Sequence, residues 1–125
     1  MKIEVSDGEI VDKMTILQIK EEKCPQQEFK KLSNIQKELR YLEKIVEDLC
    51  IPVEIIDQLK KVNMELWQIE DDIRICESKY EFDDEFIRLA RLVYHTNDKR
   101  FEIKNRINSL TMSYFKEEKI LPSYK

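Results

Sequence analysis

An apolar residue recurs at every third or fourth position through most of this chain, and little interrupts it. Phe29, Leu32, Ile35, Leu39, Leu42, Val46 and Leu49 keep that spacing. Ile56, Leu59, Val62, Leu66, Ile69 and Ile73 repeat it, and Phe86, Ala90 and Val93 begin a third run. Such stripes specify amphipathic helices that must bury one side against each other. One glycine and three prolines in 125 residues leave few places for the chain to turn. The spacing therefore predicts an all-α fold, an antiparallel helical bundle of one short and three long helices. Residues 1–125 make one domain, and an irregular tail covers about residues 113–125.

The turns follow from local chemistry. Ser6 with Glu9 three positions on is a capping box, so helix 1 is expected from Asp7 to Lys23. Pro25 suits the first turn of helix 2, expected from about Gln27 to Leu49. Ile51-Pro52 opens helix 3, from about Val53 to Tyr80, and Asp83 or Asp84 caps helix 4, from about Asp84 to Met112. Helices 2 and 3, joined by so short a turn, are expected to be antiparallel neighbours. Helix 1 carries apolar residues on two sides, Ile10, Met14 and Leu17 against Ile16 and Ile19, as a sandwiched helix does.

Charge and composition exclude several roles. The net charge of −4 argues against binding nucleic acid or an anionic membrane. No apolar run reaches a membrane span and no signal-peptide core is present, so a cytoplasmic protein is expected. Cys24, Cys50 and Cys76 are widely spaced and signal neither a disulfide frame nor a zinc site. Gly8 is the only glycine, which excludes phosphate loops and dinucleotide fingerprints, and no cofactor is expected. Glu9 and Asp12 have the one-turn spacing of a carboxylate pair. The second pair of the all-α nucleotide pyrophosphatases has no match, and no metal is expected. A domain this small gains from association, and a homodimer is expected.

The chemistry lies in polar residues that share the phase of the core: Asp12, Lys13 and Lys20 on helix 1, Asn63 and Glu70 on helix 3, and Asn97, Arg100, Lys104 and Asn108 on helix 4. Buried charges must be paired or bound. Two arrangements satisfy this. In one, Glu70 pairs with Lys104 or Arg100 and the network fixes helix register. In the other, Lys and Arg line a pocket for a small anionic ligand. His95, the only histidine, falls on a different face, with Arg88, Arg91, Lys99 and Arg106.

The run from Glu4 to Leu17 with Ile19-Lys20 resembles the opening signature of a family of small uncharacterised all-helical proteins. The resemblance continues through Leu66 to Asp71 with Ile73-Arg74, through Asn97-Asp98-Lys99-Arg100 with Lys104 and Ile107-Asn108, and through Glu117-Glu118-Lys119 with Tyr124. Proteins of this kind are often found near glycosyltransferase and surface-polysaccharide genes. The chain departs from the pattern where Ile120-Leu121-Pro122 separates Lys119 from Ser123-Tyr124, which puts in question a lid role for the tail.

The leading expectation is a small accessory or binding protein with a polar site for an anionic molecule, such as a sugar nucleotide, linked to surface-glycan synthesis. Asp12, Lys13, Lys20, Glu70, Asn97, Arg100, Lys104 and Asn108 are its expected ligand-binding residues. A cofactor-independent enzyme of mutase or lyase type is the second expectation. A structural or oligomerisation module built on a buried ion-pair network is the third.

Overall fold

The computed structural model describes residues 1–124. Among them are four helices: α1 (Asp7–Lys23), α2 (Phe29–Leu49), α3 (Val53–Ser78) and α4 (Asp84–Thr111). No described residue is in a strand, and residues 113–124 contain no helix. None of the helices is long and apolar enough to cross a membrane.

Helix α1 is the hub. It packs against α2, α3 and α4, and α3 also packs along α4. Its two apolar sides explain the placement: Val11, Met14, Leu17 and Ile19 are all buried although they point in different directions. Leu39, Leu42 and Val46 of α2, Ile55 and Leu59 of α3 and Ile107 of α4 complete one core cluster with Val11, Met14 and Leu17. Helices α2 and α3 do not run along each other, contrary to the expectation from their short connection. The stripe of α2 meets the outer side of α1 instead.

Helix ends differ from expectation where backbone geometry intervenes. Pro25 opens a turn, its carbonyl accepting from Glu28 N–H at 3.0 Å, so α2 begins at Phe29. Helix α3 stops at Ser78 because Tyr80 turns left-handed, with φ at 54°. Tyr80 N–H then bonds to Glu77 O at 3.1 Å and Glu81 N–H to Cys76 O at 2.9 Å, which closes the helix. Met112 ends α4 the same way, and Ser113 N–H bonds to Asn108 O at 2.9 Å.

Pairings across the interface show that α1 runs antiparallel to α4. Gly8, Glu9 and Asp12 meet Asn108, Lys104 and Arg100 in turn. The positive end of the α1 dipole thus lies at the negative end of α4. Lys23, the last residue of α1, lies over the Trp67 ring at 5.7 Å. Beyond that level α3 and α4 continue as a two-helix arm, with Cys76 and Leu89 buried but Ile75, Phe82 and Ile87 exposed.

Candidate functional site

The first turn of α1 needs partners for its free N–H groups. Ser6 Oγ accepts from Glu9 N–H at 3.2 Å, as the capping box predicts. The reciprocal half is absent, because the Glu9 side chain turns to Lys104. Ser113 Oγ accepts from Asp7 N–H at 3.0 Å, and Asn108 Oδ1 accepts from Gly8 N–H at 2.6 Å. That bond fixes the Asn108 amide with its oxygen toward α1, and leaves its buried Nδ2 without a partner among the described residues. Helix α1 therefore docks by its backbone onto the end of α4. Gly8 is required for this approach: a Cβ there would lie 2.5 Å from Lys104 O and 3.0 Å from Asn108 Oδ1.

One turn deeper, the seam becomes ionic. Asp12 is only 1% exposed. Its Oδ1 accepts from Arg100 Nε and from Asn63 Nδ2, both at 2.9 Å, and its Oδ2 accepts from Arg100 Nη2. Asn63 Nδ2 also donates to Thr15 Oγ1 at 2.9 Å, and Thr15 donates to the Asp12 carbonyl at 2.8 Å. Both oxygens of the carboxylate are thus engaged. The hydrogen bond to Asp12 raises the Arg100 pKa against the opposing effect of burial.

Lys104 is 6% exposed and lies 2.8 Å from Glu9 Oε2, 2.8 Å from Glu117 Oε2 and 4.0 Å from Asp12 Oδ2. Burial alone would lower its pKa, but the close carboxylates of Glu117 and Glu9 outweigh that and the net shift is upward. Glu117 comes from the tail. So does Lys119, whose Nζ lies 5.0 Å from the Phe101 ring centroid, 3.5 Å from Asn97 O and 3.4 Å from Asp98 Oδ1. Asn97, Arg100, Phe101, Lys104, Glu117 and Lys119 line a small, partly open cleft of about 60 Å³.

The structure brings Asp12, Asn97, Arg100, Lys104 and Asn108 together along the α1–α4 seam. It does not bring Lys13, Lys20 or Glu70 to them. Lys13 is exposed and pairs with Glu38 of α2 at 2.8 Å. Lys20 and Glu70 are exposed as well. The pairing of Glu70 with Lys104 or Arg100 is therefore replaced by Glu9, Glu117 and Asp12 as the counter-charges. Glu70 lies beyond the level of Trp67, where α1 has ended and no longer covers α3. Glu9 and Asp12, spaced like a metal-binding pair, face Lys104 and Arg100. Among the described residues no group of three or more His, Cys, Asp or Glu could hold a metal ion.

Glu9, Thr15, Glu117 and Lys119 are members of the site that helical phase does not reveal. Glu9 reads as a cap, and Thr15 as a neutral helix residue. Glu117 and Lys119 stand in a segment with no periodicity. Only the resemblance to a family marked them.

Residues 1–123 match the model of a family of unknown function. No curated protein and no solved structure matches the chain.

Proposed function

The chain belongs to a family of unknown function (DUF6165), and from the chemistry of its own seam we propose that it is a binding module for a small carboxylate-bearing molecule. The observation that carries this is Glu117. It is the carboxylate on Lys104 that comes from a segment without secondary structure, and in this reading a ligand's carboxylate takes its place. The two halves of the seam then have different tasks. Asp12, Arg100, Asn63 and Thr15, closed on one another, set the register of α1 against α3 and α4. Lys104, Asn97 and Lys119, at the cleft, hold the ligand.

Charge decides which anion. Carboxylates of Glu9, Asp12, Asp98 and Glu117 already face Arg100, Lys104 and Lys119. A sugar nucleotide would add negative charge to a cluster in which carboxylates outnumber cations. A ligand carboxylate that replaces Glu117 leaves the balance unchanged. A carboxylated sugar would join this chemistry to the surface-polysaccharide setting that the sequence resemblance implies. The enzyme reading has less support, because Arg100, the cation such a site would aim at a substrate, is committed to Asp12. Exposed Ile75, Phe82 and Ile87 on the two-helix arm support a homodimer, which light scattering would test.

The test is a titration of the chain with acetate and larger carboxylates, followed by amide resonances. Shifts confined to α4 and the tail are expected, with no response from a folded Lys104→Met variant. A wild-type chain that does not respond, or a Lys104→Met variant that responds equally, refutes the reading.

A further inference from the structure

Beside the cleft, the tail crosses α4 and borders a second, larger space that is open to solvent. Tyr94, Asp98, Lys119, Leu121, Pro122, Ser123 and Tyr124 line this chamber of about 500 Å³. Leu121 and Pro122 form part of its wall. The chamber does not depend on Glu117. Tyr124 OH donates to Asp98 Oδ2, and its ring meets Tyr94 at 5.1 Å and His95 at 4.8 Å between centroids. Lys119 is also held by Asp98 and Phe101. Displacing Glu117 from Lys104 therefore leaves these anchors in place.

Two features fix what the chamber suits. Its volume is that of a ligand pocket for a ring-sized group, not of a head group alone. Tyr94, Tyr124, Leu121 and Pro122 give it aromatic and apolar walls, Asp98, which accepts from Tyr124 OH, and Ser123 are polar members, and Lys119 is shared between chamber and cleft. A charged group at the Lys119 side of the cleft thus has a ring-binding surface directly alongside it.

We propose that the ligand is a ring-bearing carboxylate, its anionic group in the cleft of Asn97, Lys104 and Lys119 and its ring against Tyr94, Tyr124, Leu121 and Pro122. This rests on the carboxylate-binding reading and adds the ring to it. Aromatic rings and the apolar faces of sugar rings both pack on tyrosine, and the two sources are separated by the probes.

The experiment compares acetate, phenylacetate and glucuronate on the full chain, with Tyr94→Ala beside the wild type. Tyr94 is 41% exposed, so its truncation leaves the core intact. At least one ring-bearing probe should bind about tenfold or more tighter than acetate, the scale of stacking one ring on an aromatic side chain. Tyr94→Ala should abolish that advantage and leave acetate binding unchanged. A stronger response to phenylacetate identifies an aromatic ring, and a stronger response to glucuronate a sugar. Equal affinity for all three probes overturns the ring inference while the carboxylate reading stands. A ring advantage that survives Tyr94→Ala also overturns it. No binding of any probe removes both.

Discussion

Replacing Gly8 by alanine tests how α1 and α4 are joined, and with it the placement of Lys104. The added Cβ would lie 2.5 Å from the backbone oxygen of Lys104, where it cannot be accommodated by a side-chain rotation. The helices must separate by at least roughly half an ångström to restore even a tight contact, and a close-packed interior resists that. Overpacking of this kind costs about 1–3 kcal/mol. The same movement stretches the 2.6 Å bond from Gly8 N–H to Asn108 Oδ1, and a buried group left unpaired costs about 1–3 kcal/mol more. Alanine's greater helix propensity returns less than about 1 kcal/mol, because Gly8 sits in the first turn. The balance is a loss of roughly 2–4 kcal/mol, or about 10 °C in Tm for a domain of this length. Urea denaturation followed by circular dichroism measures it. Acetate binding should weaken in the same variant, since the clashing atom belongs to Lys104. A Gly8→Ala chain as stable as the wild type would refute the close approach of the two helices.

Arg100→Met and Lys104→Met should differ although each removes one cation. The first strands Asp12, at 1% exposure, and should cost about 3–5 kcal/mol. The second strands Glu9, which at 48% exposure can turn to water, and the buried Oε2 of Glu117, and should cost less, about 1–3 kcal/mol. Equal losses by denaturant titration would contradict the division of the seam into a closed and an open half. Tyr124 gives a pH dependence. Its hydrogen bond to Asp98, aided by burial, raises its pKa from 10.0 to about 12. A raised folded-state value means that the anchoring of the tail is complete below pH 10 and is lost as pH rises through about 12. Tyrosinate absorbance, compared with Tyr124→Phe, should show one phenol titrating near pH 12, and an unshifted difference spectrum would exclude the Asp98 contact.

Much of the architecture was legible because helical phase is a strong signal where helices are surrounded. The stripe of α2, the two apolar sides of α1 and the polar line Asn97, Arg100, Lys104 and Asn108 on α4 all follow from three-four spacing. Phase alone cannot say how far a neighbour extends. Asn63 and Glu70 share one line on α3, yet only Asn63 is buried, because α1 ends near Trp67. Lys13 lies between the two apolar sides of α1 and reaches water. Its partner on α2, Glu38, belongs to that helix's polar face. Gly8 reads from sequence as a residue that rules out phosphate loops. Its structural importance is a distance to α4, which no local pattern encodes. The tail was the least legible, since Glu117, Lys119 and Tyr124 act through contacts across about 13 to 26 residues of sequence with no repeating pattern.

In the proposed function, Glu117 keeps the place of a ligand's carboxylate on Lys104. An internal competitor that holds its site about 90% of the time weakens an external ligand about tenfold. Titration of the Glu117→Gln variant with phenylacetate, beside the wild type and Glu118→Gln, measures this directly. Glu117→Gln is expected to bind about tenfold tighter while Glu118→Gln, an exposed neighbour, binds as the wild type does. Affinity unchanged or weakened in Glu117→Gln would contradict it.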